Sequence, residues 1–398
     1  MRKKILFLGG SHFQLPPLVY AQEQGHYIIT CDYLPGNPGH RYANEYYNVS
    51  TTDLETVLRL AGKLGVDGVV AYGSDPAAAT AAYVCEQLGL PGNPYQAVKI
   101  LTHKDLYRDF LRTHGFAVPQ AAGFSLLTEA EKYFSRTPGP LILKPVDSSG
   151  SRGVQTIHTL EQLQEAFPVA LQFSRTKRII LEERIQKKGY QIAGDGFVVN
   201  GRLAFRCFAQ EHFIGWGDPP PPIAESYPLL LPQPLQGRIH AEIDRLVSLL
   251  GLRNGALNLD IMLNHGDDIY LIEIAPRAGG NLITEMIRRC TGVNLVKYVV
   301  DAALGLDCSE LAMVDKAALC GFYVLHAASD GIFCGVEIDD SLRENVVEQK
   351  VFIHKGTPVQ KYSNSSGTLG CLILKFGSAD EMLSKMESMH ERVRVVLA

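Results

Sequence analysis

Asn258-Leu259-Asp260-Ile261-Met262-Leu263, then the polar stretch Asn264-His265-Gly266-Asp267-Asp268, then Ile269-Tyr270-Leu271-Ile272-Glu273-Ile274, reads as two apolar runs flanking a turn and predicts a β-hairpin. With His265 to Asp268 as the turn, Asn264 pairs with Ile269 and Asp260 falls directly opposite Glu273 on one face. Like charges about 5 Å apart destabilise a sheet unless a cation neutralises them. Hard carboxylate oxygens suit a magnesium ion bridging nucleotide phosphates. The alternative is a hairpin edge with two solvated acids, which the apolar neighbours disfavour.

Just beyond the hairpin, Ala275-Pro276-Arg277-Ala278-Gly279-Gly280-Asn281 ends a strand in a loop with one arginine and two glycines. A guanidinium there can take a carboxylate bidentately, and Gly279 and Gly280 let a substrate approach the backbone. Taken without the adjacent acids, Arg277 reads as a surface residue. Upstream, Lys144-Pro145-Val146-Asp147-Ser148-Ser149-Gly150-Ser151-Arg152-Gly153-Val154 is a strand, a small flexible loop and a second strand. Glycines and serines admit phosphate oxygens close to backbone N–H groups, and Lys144 supplies a point charge. The lysine precedes the glycines, so this is not a Walker A loop. Its alternative is an ordinary Gly/Ser hairpin carrying a surface lysine. Leu181-Glu182-Glu183-Arg184-Ile185 is a strand end whose acceptors suit an adenine amino group or ribose hydroxyls, and by itself it is unremarkable charge.

The rest of the 398-residue chain divides into regions. Over residues 1–95, strand-like Ile5 to Leu8, Tyr27 to Cys31 and Gly68 to Ala71 alternate with helical Leu15 to Gln24, Asp53 to Leu64 and Pro76 to Leu88. That alternation predicts a Rossmann-like parallel sheet. Gly9-Gly10-Ser11 and Asp32 lie at strand ends where a ligand crevice would form, but without a full Gly-x-Gly-x-x-Gly they read better as a structural turn. Residues 96–316 read as α+β, with a helix from Lys104 to Arg112, a smaller unit over about 115–190, and strands from Gln191 to Val199 and Arg202 to Phe208 joined at Asn200-Gly201. Gly215 to Pro222, closing on four prolines, reads as an exposed loop near the substrate. Residues 317–398 read as a small β-rich unit ending in a helix, capped by Ser378-x-x-Glu381, with Met382, Met386, Met389 and Val393 on its apolar face.

Composition is that of a globular enzyme, 46% hydrophobic and 20% charged, and a net charge of −4 gives no footprint for nucleic acid. The apolar run after Met1-Arg2-Lys3-Lys4 is too short for a signal peptide and no run is long enough for a membrane span, so the expected location is the cytoplasm. Eight scattered cysteines, none in a Cys-x-x-Cys pair, read as buried thiols.

Together these segments resemble the ATP-grasp superfamily, in particular its carboxylate-amine and carboxylate-thiol ligases, relatives of biotin carboxylase and carbamoyl-phosphate synthetase. The resemblance runs through nearly the whole chain in one order, and Lys355-Gly356-Thr357-Pro358-Val359 and Leu369-Gly370 look like that branch's small C-terminal domain. It implies an N-terminal α/β domain, an ATP-grasp domain of two α+β subdomains and ATP with magnesium or manganese. The implied reaction activates a carboxylate, such as an amino acid's, as an acyl phosphate for an amine, releasing ADP and phosphate. Small-molecule partners and, as a further expectation, a homodimer belong to the same reading.

Position by position, the resemblance gives the ATP phosphates to Lys104 and Lys144 and makes a mobile glycine-rich lid of Ser148, Ser149, Gly150, Ser151 and Gly153. Glu182 and the backbone around Glu183 and Ile185 go to adenine, and Gln191 goes to ribose where relatives have glutamate. Asp260 and Glu273 become the metal ligands. Arg277, with Lys144 a catalytic residue, belongs to the substrate site with Gly279, Gly280 and Asn281. Ala275 stands where many relatives have an asparagine ligand, and Asn281 is a candidate replacement. A biotin-dependent carboxylase component is the less favoured alternative, since no Met-Lys-Met carrier motif occurs; a nucleotide-binding protein without turnover is the other.

Overall fold

The computed structural model describes residues 2–398. The first apolar runs form β1 (Lys4–Leu8), β2 (Tyr27–Cys31), β3 (Glu45–Tyr47) and β4 (Gly68–Ala71), a sheet ordered β3-β2-β1-β4 whose pairings are parallel. Helices α1 (Leu15–Glu23), α2 (Leu54–Leu64) and α3 (Asp75–Leu88) supply the crossovers. Leu6, Leu8 and Ile29 are buried with Val57, Ala61, Ala77 and Val84, which is why these strands are apolar throughout rather than alternating. Strand β3 has no counterpart in the sequence reading, because three residues are too few to show a period. Gly9-Gly10-Ser11 is a structural turn: Asp32 accepts from the Gly10 amide at 3.1 Å, the Leu34 amide at 3.0 Å and Asn37 Nδ2 at 2.7 Å. Its carboxylate has little capacity left for a ligand.

Helices α4 (Tyr95–Thr102) and α5 (Lys104–Thr113) lead to a second sheet of β5 (Ala121–Phe124), β6 (Leu141–Pro145), β7 (Gln155–Ile157) and β8 (Ile179–Glu183), ordered β5-β8-β6-β7. Helices α6 (Leu127–Phe134) and α7 (Leu160–Phe173) share its core through Ala130, Leu163 and Phe167 against Leu141, Leu143 and Ile157.

The main sheet begins with β9 (Gln191–Val199) and β10 (Arg202–Phe213), joined at Asn200 and Gly201, both at positive φ of 51° and 79°, the geometry an Asn-Gly hairpin turn favours. It continues with β11 (Pro222–Tyr227), helix α8 (Gln233–Leu250), and β12 (Gly255–Leu263) and β13 (Ile269–Ala275). After α9 (Ile283–Thr291) and α10 (Leu295–Ala303) come β14 (Cys320–Leu325), β15 (Gly331–Ile338), α11 (Asp340–Arg343), β16 (Val346–Val351), β17 (Pro358–Val359) and β18 (Gly370–Lys375). The order β13-β12-β9-β10-β11-β14-β18-β16 makes one sheet across residue 317.

The chain closes with α12 (Ala379–Glu387), the short α13 (Met389–Arg392) and β19 (Val393–Leu397), which pairs with β15. It therefore ends in a strand, not a helix. Met382, Met386 and Met389 are buried in the main core as expected, whereas Val393 opens the strand. Ser378 accepts from the Glu381 amide at 3.2 Å, but the Glu381 carboxylate turns to the Gly377 amide at 2.8 Å, so half of the expected capping box forms.

The hairpin expected over residues 258–274 forms, with one change near its turn. Leu263, not Asn264, pairs with Ile269. A bulge then leaves Ile272 unpaired and brings Asp260 opposite Glu273. A bulge adds one residue to one strand, and here it cancels the one-residue error at the turn.

Candidate active site

The site lies where the ends of β6, β8, β12 and β13 meet α5 and the N-terminal end of α3. Asp260 and Glu273 face one another across paired strands. Burial, then the Glu273 charge, pushes the Asp260 carboxyl up to about 6, the electrostatic frustration that a cation relieves. Lys104 Nζ stands 3.3 Å from Glu273 Oε2 and donates to the Ser148 carbonyl at 2.7 Å. One ammonium thus links the acid pair to the glycine-rich loop. Gln191 Nε2 donates to Asp260 Oδ1 at 3.1 Å and to Glu211 Oε2 at 2.6 Å.

Lys144 does not project as a free charge. It is 8% exposed and its ammonium contacts Glu182, whose carboxylate also accepts from Arg108 Nε at 3.0 Å. Burial lowers the Lys144 pKa; Glu182 opposes this, while Arg108 and Lys104 add to it. Burial alone would raise Glu182, but Arg108 and then Lys144 bring its carboxyl down to about 2. The Glu182 side chain is therefore committed to two cations rather than free as an adenine acceptor. Arg108 also donates from Nη1 to the carbonyl of the bulged Ile272 at 2.9 Å, so the bulge has a partner inside the site. Glu183 is exposed, and its amide donates to the Gln120 carbonyl at 2.8 Å. Ile185 is half-buried just past the end of β8.

The Arg277 fork is held by Asp75, the first residue of α3. Nε donates to Oδ1 at 2.6 Å and Nη2 to Oδ2 at 3.2 Å, while Nη1 reaches the Ala278 carbonyl at 3.3 Å. Burial raises the Asp75 carboxyl, but Arg277, with smaller contributions from Lys104 and Ser149, holds the group below its ordinary value. Gly279 donates its amide to Asp195 Oδ2 at 2.8 Å, and Asn258 donates to Asp195 Oδ1 at 2.9 Å. Burial nevertheless pushes Asp195 up to about 6. Asn281 and Leu282 follow at positive φ of 52° and 66°, a sharp entry to α9.

The expected residues thus gather in neighbouring polar clusters: Lys104 with Glu273 and the Ser148 carbonyl, beside Asp260 with Gln191; Lys144 with Glu182 and Arg108; and Arg277 with Asp75, with Arg277 and Lys144 near enough to lower the Asp260 carboxyl. Sequence reasoning missed Asp75, Arg108, Asp195, Glu211 and Glu225. Glu211 sits between Gln191 and Glu225 in register on one face, and burial, with Asp260 and Glu225, raises its carboxyl. Burial raises Glu225 to about 8. A signal was present: Gln191, Ala193 and Asp195, or Cys207, Ala209 and Glu211, place a polar group at period two inside apolar strands.

The donor set fits a magnesium ion. Two opposed carboxylates would hold it, and among the described residues no group of three or more His, Cys, Asp or Glu is arranged as a metal site. Magnesium takes one or two protein carboxylates and completes its octahedron with phosphate oxygens and water, whereas a structural zinc site takes four protein ligands.

Because Asp75 occupies the fork, Arg277→Lys is expected to lose alignment as well as a donor. If Arg277 takes a substrate carboxylate, losing one charge-assisted hydrogen bond costs roughly 1.5 to 3 kcal/mol, or about tenfold to a hundredfold in kcat/KM for that substrate, with nucleotide affinity nearly unchanged. If Asp75 orients the guanidinium, Asp75→Asn costs a similar factor and the double variant costs little more than either alone. Additive losses in steady-state kinetics would separate the two residues.

Comparison with known proteins gives this geometry a class. Residues 137–285 match the family described as "ATP-grasp domain". The fold resembles an L-amino acid ligase from Bacillus licheniformis at a TM-score of 0.82 and 20% identity, covering 100% of this chain and 99% of that one. A phosphoribosylglycinamide synthetase from Anaerococcus prevotii gives 0.77 at 19% identity, with both chains covered at 100%. Dapdiamide A synthase of Enterobacter agglomerans is 27% identical over 267 residues, 63% of this chain and 60% of that protein. The chain has the ATP-grasp fold over its whole length, and the match to the ATP-grasp domain family falls on residues 137–285. No helix among the described residues is long and apolar enough to cross a membrane.

Proposed function

We propose that this protein is an ATP-dependent ligase that activates a carboxylate, an amino acid's in the first instance, as an acyl phosphate and transfers it to an amine, releasing ADP and phosphate. The observation that carries this reading is the facing of Asp260 and Glu273 beside Lys104, with Lys144 and Arg277 near enough to lower the Asp260 carboxyl. Asp260 and Glu273 would hold magnesium, which would supply charge neutralisation at the phosphates. Lys104 and Lys144 add point charges for the phosphates, and the amides and hydroxyls from Ser148 to Gly153 cover them. Arg277, oriented by Asp75, holds the substrate carboxylate. Phosphoryl transfer asks mainly for positioning and neutralisation, which this set provides without a protein nucleophile. The names of the ligase and synthase relatives support a joining reaction.

The test is ADP release with magnesium and ATP, alone and with mixtures of amino acids, followed by mass detection of condensed products. Release that depends on amino acids and is matched by a product supports the ligase. Release that requires bicarbonate and biotin instead would replace it with a carboxylase, and ATP binding without release under any mixture would leave a nucleotide-binding protein.

A further inference from the structure

Residues 214–221 connect β10 to β11 but do more than turn. Asp218 near the tip crosses to the β5-β8-β6-β7 sheet, where its carbonyl accepts from the Thr156 amide at 2.9 Å and its carboxylate from the Thr156 hydroxyl at 2.6 Å. Strand β7 is the edge of that sheet, so the main-chain bond occupies an otherwise free edge donor. His158 Nε2 at 3.1 Å and Arg184 Nη1 at 3.2 Å also flank the carboxylate, both near half-exposed. The root of the loop is anchored on the opposite side: Trp216 Nε1 donates to the Tyr362 carbonyl at 3.1 Å, Lys361 lies over the indole, and Tyr362 OH donates to the Pro222 carbonyl at 3.1 Å. Pro219 to Pro222 restrict φ at successive positions, which lowers the entropy lost in holding this loop extended.

A second contact joins the same two bodies. The Gly150 carbonyl, in the glycine-rich loop, accepts from the Ser365 amide at 3.2 Å. Gly150 has φ +68°, which favours glycine there, and a Cβ at residue 150 would come within 2.1 Å of Ser365 Oγ and displace that hydroxyl.

We propose that residues 214–221 are a strap that holds the glycine-rich lid down over the nucleotide. Asp218 is its positioning residue, acting through Thr156, and Ser365 is a second clasp on Gly150. The proposal rests on the reading of Ser148 to Gly153 as the ATP cover. The strap makes the C-terminal part of the chain, through Trp216 and Ser365, a determinant of how long the lid stays closed.

Hydrogen exchange on the full chain without nucleotide tests the strap apart from any activity. In Asp218→Ala and in Thr156→Val, amides of residues 148–157 should exchange roughly tenfold faster, as loss of a charged hydrogen bond implies. The double variant should be no faster, and Asp218→Asn, which keeps an acceptor for Thr156, should lie near the parent. Affinity for magnesium-ADP by calorimetry should fall about tenfold in the Asp218→Ala protein. Unchanged exchange at 148–157, or an equal rise throughout the chain with a lowered thermal midpoint, would overturn the strap. A parent that binds no magnesium-ADP while its lid exchange still responds to Asp218 would overturn the nucleotide reading and leave the clasp standing.

Discussion

Asp260→Asn and Glu273→Gln are each expected to abolish magnesium-dependent ADP release, with a loss of at least about a hundredfold, since removing a ligand from a two-carboxylate site leaves the ion one protein oxygen donor. The same substitutions should act differently on the metal-free fold. Asp260 has a folded pKa raised to about 6 from 3.8. The folded state therefore holds its proton more tightly, so the group contributes stability below about pH 4 that is lost as pH rises through 6. Above pH 6 the buried charge costs up to about 3 kcal/mol, because each tenfold tightening of proton binding is worth about 1.4 kcal/mol. Asparagine removes that cost. At pH 8 without magnesium the Asp260→Asn protein should melt higher than the parent, and at pH 4 the difference should vanish. Adding magnesium should stabilise the parent and not the variant. Scanning calorimetry at the two pH values reads all of this; parental activity together with a lower melting temperature would make the acid pair structural and remove the metal site.

Opposed carboxylates were visible in the sequence because a hairpin's register follows from its turn and its apolar alternation. The turn itself lies one residue from where the apolar pattern puts it, and the pair comes out right because of the Ile272 bulge. Nothing in Ile269 to Ile274 marks a bulge, since the extra residue is another apolar one; the bulged Ile272 carbonyl finds its partner in Arg108, 164 positions away. The Asn200-Gly201 hairpin and the alternating N-terminal units were legible because their determinants are local. The C-terminal strand was not. Val393 to Leu397 continues the spacing of a helix, and only pairing with β15 makes it a strand.

The site shows the same division. Residue types and order gave Lys144, Asp260, Glu273 and Arg277, and the family resemblance added Lys104. Their partners lie far off in sequence: Asp75 is 202 positions from Arg277, and Arg108 is 74 from Glu182. Such pairs leave no periodic trace, so Lys144 read as a strand-end charge for phosphate and Glu182 as an acceptor, without the ion pair that joins them. Burial accounts for that pairing, since charges this deeply enclosed must be paired.

Lys144→Met is therefore expected to weaken ATP binding and also to destabilise the protein, rather than leave the fold untouched. Methionine fills the volume but leaves Glu182 with Arg108 as its one remaining cation among the groups that contact it. Breaking a buried pair outright costs about 3 to 5 kcal/mol, and Arg108 should hold this loss to the lower end or less. The nucleotide effect has a separate origin, an ammonium removed from the phosphates, and charge-assisted hydrogen bonds of roughly 1.5 to 3 kcal/mol put it at about tenfold to a hundredfold. A second substitution separates the two. In Lys144→Met with Glu182→Gln, the uncompensated acid is gone, so the melting temperature should recover most of its loss. ATP affinity should not recover, because no charge has been returned to the phosphates. Calorimetric titration and thermal scans on the parent, both single variants and the double variant give the full cycle. If the double variant regains nucleotide affinity along with stability, the lysine acts only by balancing Glu182 and has no place on the phosphates.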